Sequence, residues 1–224
     1  MLDREQFRAA LEKHFRFIGG LDNLPELASP TVSLCRPDGT KLPRDQRRSH
    51  GRVALAKTMN DLGFKKGVEI GCRYGASALL WVEHIPGLEL TCIDPYRAYH
   101  RIGQPRQDEI FAGAQENAAG KFTILRAASL DVVDQWKDGS LDFVNIDGDH
   151  SFDAAVQDII RWAPKVREGG LVLVHDYCVF GLSGVIPAID AYTSCHKIDP
   201  WYVTRDMEPT AFWMRGVEKA GLGS

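Results

Sequence analysis

The chain is 224 residues long and 44% hydrophobic, enough to bury roughly 70% of its unfolded surface around a single core without a disulfide framework. Its 27 basic and 30 acidic residues leave a formal charge of −3, and no Lys/Arg run is dense enough to follow a phosphate backbone, which argues against a nucleic-acid partner. Five scattered cysteines without CxxC spacing, no apolar leader after Met1 and no run of membrane-spanning length point to a soluble, cytoplasmic protein in a reducing compartment.

Apolar residues at helical spacing (Phe7, Leu11, Phe15, Ile18) predict a helix over 4–18, stopped by Gly19-Gly20. An irregular, Pro-containing stretch follows over 21–46, and Val53, Leu55, Met59 and Leu62 predict a second helix over 49–62. Residues 1–62 are read as an N-terminal helical cap on a core spanning 63–224. In that core, strand-like runs at 67–71, 88–93, 121–126, 141–146 and 170–175 alternate with helical segments at 76–85, 107–118, 129–136, 152–166 and 184–194. This is the pattern of an α/β sheet covered on both faces. Two short apolar runs, 202–204 and 211–214, predict a closing hairpin, so the sheet is expected to end on an antiparallel strand. There is no internal repeat.

The first core strand runs into a glycine turn, Gly67-Val68-Glu69-Ile70-Gly71-Cys72-Arg73-Tyr74-Gly75. A glycine directly after a buried strand lets backbone approach a ligand, and a second lets the next helix begin close by. The G-x-x-x-G spacing is not the G-x-G-x-x-G of a dinucleotide site. Glu69, inside the strand, would repel phosphate but suits a cationic ligand carrying an amino group and a sulfonium. Asp94 ends the second core strand, where a carboxylate can accept hydrogen bonds from both ribose hydroxyls. The plainer alternative is that Gly71 and Gly75 only shape a turn and Asp94 caps a loop before Pro95.

Residues 68–75 resemble the first motif of class I S-adenosylmethionine-dependent methyltransferases, and Ile93-Asp94 resembles their ribose-binding acid, over a region of about 63–215. The resemblance implies a Rossmann-like seven-stranded sheet, mostly parallel with an antiparallel last strand and helices on both faces. It also implies S-adenosylmethionine as cofactor, bound around Glu69, Gly71, Tyr74, Gly75 and Asp94. Arg73 stands where the family usually has its middle glycine.

The fourth core strand ends in an acidic turn, Asp147-Gly148-Asp149-His150-Ser151. Methyl transfer to a hydroxyl needs an aligned nucleophile and a proton acceptor. His150 is the best base candidate, since imidazole titrates near neutrality. Asp147 could orient it, touch the cofactor or hold a metal, while Asp149 or Ser151 could cap the following helix. The block from Ile146 to Phe152, with Gly169 to Tyr177, is similar to the small-molecule O-methyltransferase branch that contains macrolide-sugar and cephamycin tailoring enzymes. In that branch magnesium is held by an acid after strand four and a carboxylate or amide pair after strand five. Here the corresponding set is Asp147, His175 and Asp176. Imidazole is a poor magnesium ligand, so a magnesium or manganese ion is a weaker expectation than the cofactor.

Ser129 falls where the family contacts adenine or, equally, where it would cap a helix. Tyr96, Arg97, Tyr99 and His100 read as a solvated loop bordering the substrate, and Arg48, Ser49 and His50 as a segment able to close over the site. Trp81, Trp162, Trp201 and Trp213 read as core. The leading function is methyl transfer from S-adenosylmethionine to a hydroxyl of a small molecule such as a sugar or natural product. A nicotinamide-dependent oxidoreductase and a non-catalytic S-adenosylmethionine-binding protein are the alternatives. The expected partner is a small-molecule acceptor, with neither nucleic acid nor membrane, and a homo-oligomer remains open.

Overall fold

The continuous apolar runs become the centre of a twisted sheet in a computed structural model of the chain. It describes residues 4–18, 32–35, 50–99, 101–178, 184–205 and 208–216. In chain order the elements are α1 (Arg4–His14), β1 (Arg16–Ile18), β2 (Val32–Cys35), α2 (His50–Asp61), β3 (Lys66–Ile70), α3 (Ala76–His84), β4 (Glu89–Ile93) and α4 (Gln104–Ala118). They continue with β5 (Thr123–Leu125), α5 (Ser129–Val132), β6 (Leu141–Ile146), α6 (Phe152–Trp162), β7 (Val166–Val174), α7 (Val185–Cys195), β8 (Tyr202–Thr204) and β9 (Ala211–Met214).

The sheet order is β1-β2-β8-β9-β7-β6-β3-β4-β5. Its stretch from β8 to β5 is the expected seven-stranded Rossmann-like sheet: β3 to β7 are parallel, and β9 runs antiparallel to both β7 and β8. Fully buried positions along β3, β6 and β7 explain why these strands read as mostly apolar rather than alternating, with Glu69 and Asn145 as buried polar exceptions. Trp81, Trp162 and Trp213 are wholly buried and Trp201 nearly so, as core residues.

The N-terminal segment differs from its pattern. The helix read over 4–18 stops at His14, and Arg16–Ile18 forms a strand; a second strand, Val32–Cys35, lies inside the stretch read as irregular. β2 pairs in parallel with β8 and β1 pairs antiparallel with β2, so both extend the sheet at one edge. Strands this short draw their stability from the partner they pair with, which local periodicity does not record. Phe7 of α1 packs edge-on against the rings of Tyr202 and Phe212, at 5.9 and 6.5 Å. Later, the helix read over 152–166 ends at Trp162 and gives way to a 3-10 turn containing Pro164, a residue that cannot continue a helix. β7 therefore begins at Val166, earlier than the apolar run at 170 suggested.

From β3 the chain winds to one side through β4 and β5, then returns to pair β6 on the other side of β3. A crevice opens beyond the carboxyl ends of β3 and β6 at such a reversal, the usual ligand position in open α/β sheets. Ile70 is level with both Ile93 and Ile146, and Ile146 is level with Val174. Four strands thus deliver the residues that follow them to one rim. Among the described residues, no helix is long and apolar enough to cross a membrane.

Candidate functional site

Gly71, the first residue past β3, has φ 87°, and a Cβ there would lie 1.9 Å from the backbone oxygen of Asp147. Glycine is therefore required for the turn after β3 to lie against the turn after β6. The Asp147 N–H donates to the Ile70 carbonyl at 2.8 Å, and the Gly71 N–H donates to the Ile93 carbonyl at 2.9 Å, stitching three strand ends together. Gly75, at φ 76°, sits at the start of α3, and a Cβ there would meet the Phe122 ring at 2.8 Å. Both glycines thus shape close protein contacts. Arg73 takes the left-handed conformation itself, at φ 47°.

Asp94 ties this turn to the next strand. Its two oxygens accept the backbone N–H groups of Arg73 at 2.9 Å and Tyr96 at 2.8 Å, and a carboxylate has lone pairs to spare for further donors. Tyr96 departs from the reading as a solvated substrate-bordering residue. It is 1% exposed, and its hydroxyl donates to the Arg73 carbonyl at 2.9 Å, locking the loop from inside. Tyr74 turns toward α4, where its hydroxyl accepts from Arg106 and its carbonyl from Asn117.

Glu69 is 1% exposed and its Oε2 accepts the indole N–H of Trp81 at 2.7 Å. Burial, with Asp147 and Cys72 nearby, pushes its carboxyl well above the usual range, only partly offset by Trp81 and by Arg52. The carboxyl therefore lies beneath the cradle rather than on its open surface.

The acidic turn and the end of β7 form one cluster. His175 is 5% exposed, with Nδ1 at 3.3 Å from Asp147 Oδ1 and 3.2 Å from Asp176 Oδ1. Neither contact is aligned as a hydrogen bond, and among the described residues neither ring nitrogen has a hydrogen-bond partner. Burial opposes a charge on His175, yet the two aspartates outweigh it and push the imidazole up to about 10. Burial would likewise raise Asp147, but His175 and His150 overcome it and hold the carboxyl at about 2. His150 stands at the open side, its side chain 40% exposed, with Nε2 at 3.3 Å from Asp176 Oδ2 and 3.9 Å from Asp147 Oδ1. The Asp147 carboxylate raises its basicity against the effect of burial, aided by Asp176. Asp147, His175 and Asp176 present ligand atoms all within 4.8 Å of one another, a donor set suited to a divalent ion. The buried imidazole without a hydrogen-bond partner fits such an ion, but a nitrogen ligand suits magnesium poorly.

Two sequence alternatives are resolved by the turn itself. Ser151 caps α6, accepting from the Ala154 N–H, and Asp149 accepts the Ser151 N–H at 2.7 Å, so both residues build the helix start. Ser129 is not a cap. Ala128 holds that position, and the Ser129 hydroxyl donates to buried Asp158 on α6 at 2.5 Å. Arg48, Ser49 and His100 lie outside the described residues, while His50 opens α2.

Sequence reading passed over Arg52. Its side chain is 12% exposed and donates to Ser77 Oγ at 2.6 Å and Glu208 Oε2 at 3.3 Å, bridging α2, the first turn of α3 and the approach to β9. It also lends positive potential to Glu69, Asp147 and His175. An arginine one residue before the apolar series of α2 carries no signal that would have singled it out.

Residues 68–177 match a family model described as a methyltransferase domain. No curated protein matches the sequence. Cofactor-bound Rv0187 from MTB is 17% identical, covers 79% of this chain and 84% of its own, and superposes with a TM-score of 0.55. An O-methyltransferase from Bacillus cereus in complex with SAH is 12% identical, with 96% and 93% covered and a TM-score of 0.55. A protein from Corynebacterium glutamicum is 16% identical, with 98% and 94% covered and a TM-score of 0.54. At these identities the three structures establish the fold. The matched segment carries both turns of the site, so residues 68–177 are a methyltransferase domain whose donor is S-adenosylmethionine. That decides against the nicotinamide-dependent oxidoreductase.

Proposed function

We propose that this methyltransferase domain transfers the methyl group of S-adenosylmethionine to a hydroxyl of a small molecule, of the sugar or natural-product kind handled by the macrolide-sugar and cephamycin tailoring branch. The supporting observation is His150, half-buried at the open side of the acidic cluster with Nε2 at 3.3 Å from Asp176. In the neutral tautomer protonated on Nε2, whose N–H faces Asp176, Nδ1 accepts the hydroxyl proton as the oxygen attacks the methyl carbon. The C–O bond forms, the C–S bond breaks, and its electron pair stays on sulfur to give S-adenosylhomocysteine. The imidazolium so formed keeps Nε2–H beside Asp176 and Asp147, whose charges stabilise it.

The donor is held across the neighbouring strand ends. Asp94 receives the ribose hydroxyls with the lone pairs its loop contacts leave. Gly71, Tyr74 and Gly75 set the turn around the methionine portion, and Ser129 borders the adenine. Glu69 acts from below: a sulfonium or ammonium bound above it draws its carboxyl back toward the ionised form. Asp147 faces both the donor and the acceptor. A divalent ion held by Asp147, His175 and Asp176 would supply Lewis acidity toward the acceptor hydroxyl. Residues 1–62 are proposed as a cap beside this rim, and the working partner as a small molecule in the cytoplasm.

His150→Ala tests the assignment. Turnover is expected to fall by about 10²- to 10⁴-fold, the range for loss of a general base, while S-adenosylhomocysteine affinity measured by calorimetry stays within about twofold. Unchanged turnover eliminates His150 as the base.

A further inference from the structure

We propose that Asn145 is a positioning residue for the donor site, its amide turning to the second carboxyl oxygen of Glu69 when a cationic centre of S-adenosylmethionine lies over that carboxyl. The register comes from the sheet. Asn145 of β6 is level with Glu69 of β3, and level residues of parallel strands project from the same face with about 4.8 Å between the strands. Both are buried, Asn145 at 0% and Glu69 at 1% exposure. Gly71, two residues beyond Glu69 and so on the same face, has no side chain to stand over the carboxyl.

Both side chains have hydrogen-bonding capacity to spare. Among the described residues, neither the amide nitrogen nor the amide oxygen of Asn145 has a hydrogen-bond partner. A buried amide left unpaired is costly, and an apolar residue at this position of β6 would avoid that cost. Glu69 Oε2 takes the Trp81 indole N–H at 2.7 Å, and no other hydrogen bond from the described residues reaches the carboxyl. The remaining neighbours of Asn145 on this face do not compete. Leu173, level with it on β7, and Phe143, two residues before it, are apolar, while Asp147, two residues after it, is faced by His175 and His150. Glu69 is the acceptor that remains.

The bound donor supplies the reason for the pairing. Burial resists a charge on Glu69, and Trp81 offsets that only in part. A cation above favours the carboxylate, whose second oxygen then takes a charge-assisted hydrogen bond from the amide, stronger than one between neutral groups. Asn145 thus exchanges an unpaired amide for a paired one when the donor binds, which adds to donor affinity and fixes the carboxyl beneath the cation. The inference rests on the proposed placement of the donor over the glycine turn, and adds to it a residue that touches neither donor nor acceptor.

The test titrates the full chain with S-adenosylmethionine and S-adenosylhomocysteine by calorimetry. Asn145→Leu should bind S-adenosylmethionine about tenfold more weakly, the loss expected for a hydrogen bond to a charged group, while its urea midpoint holds or rises because the unpaired amide is gone. Loss confined to S-adenosylmethionine assigns the cation to the sulfonium; equal loss with S-adenosylhomocysteine assigns it to the ammonium group the two ligands share. Glu69→Gln should also lose affinity, and adding Asn145→Leu to it should cost less than about twofold more, because the two residues act as a unit. Affinity of Asn145→Leu within about twofold of wild type for both ligands, or losses that multiply in the double variant, overturns the inference. Full affinity in Glu69→Gln overturns it too and removes the donor placement with it, whereas a weakened Glu69→Gln beside an unaffected Asn145→Leu removes this inference alone. Should the variants fail to fold, the side-chain amide signals of Asn145 in the NMR spectrum of the wild type decide: they should move downfield when the donor binds, and unmoved signals overturn the pairing.

Discussion

Asp158 offers a quantitative test of the packing beneath the acidic turn. It is 5% exposed, accepts the Ser129 hydroxyl, and lies where a Cβ on Gly148 would come within 3.6 Å of its Oδ2. Burial, together with the charge of Asp149, pushes its carboxyl from 3.8 up to about 6, with Ser129 only partly opposing. The folded pKa exceeds the unfolded one, so ionisation is the disfavoured event. Below 3.8 both states hold the proton and Asp158 adds nothing; as pH rises toward about 6 the unfolded chain ionises first and stability falls. The gap from 3.8 to about 6, at about 1.4 kcal/mol per pH unit, amounts to about 3 kcal/mol of destabilisation above the folded pKa. Asp158→Asn removes the titration and keeps an acceptor for Ser129. Its amide also places donors near Gly148, so a constant offset is expected, and the informative quantity is how the difference from wild type changes with pH. Urea unfolding followed by tryptophan fluorescence should show the variant gaining about 2 kcal/mol relative to wild type between about pH 4.5 and pH 8. A difference that stays flat over that interval refutes the burial argument.

Gly71→Ala should destabilise the protein by more than about 3 kcal/mol or prevent soluble expression, because the new methyl would collide with the Asp147 carbonyl at a left-handed φ. Gly75→Ala, which meets only the end of the Phe122 ring, should be milder in the same thermal melts, and the reverse order would contradict the contact assigned to Gly71. Tyr96→Phe deletes the bond to the Arg73 carbonyl and should cost about 1 kcal/mol in urea unfolding. The same variant should also bind S-adenosylhomocysteine several-fold more weakly by calorimetry, and unaltered affinity would show that the loop does not depend on this lock.

What the sequence disclosed and what it hid divide along contact range. The strands around the site were legible because parallel strands buried on both faces are short, mostly apolar runs, and because glycine and acidic turns punctuate their ends. Asp147, His150, His175 and Asp176 could be brought together on paper, since each follows its strand by only a few residues. Side-chain commitments across the fold could not. Ser129 looks outward in a linear reading, yet its hydroxyl is taken by a residue 29 positions away; Tyr96 reaches back 23 positions, and Arg52 reaches forward 156 to Glu208. The two N-terminal strands were hidden for a related reason: Phe15 and Ile18 continue the helical spacing of α1, and only pairing with β8 makes the neighbouring segment a strand.

The same contacts give the proposed site a largely rigid rim on which donor and acceptor would be aligned. An in-line displacement at carbon loses rate steeply when the attacking oxygen and the methyl group drift by a fraction of an ångström. In this chain the glycine turn after β3 and the acidic turn after β6 are not independent loops. Gly71 is pressed against the Asp147 backbone, Asp147 N–H is bonded to Ile70, and Asp94 holds the Arg73 and Tyr96 amides from the far side. A movement of the acidic turn that carries His150 away from the proposed acceptor must therefore also strain the turn proposed to cradle the donor. The absence of a side chain at Gly71 serves this coupling, which is why substitution there should disturb cofactor binding and proton transfer together, whereas His150→Ala should disturb proton transfer alone.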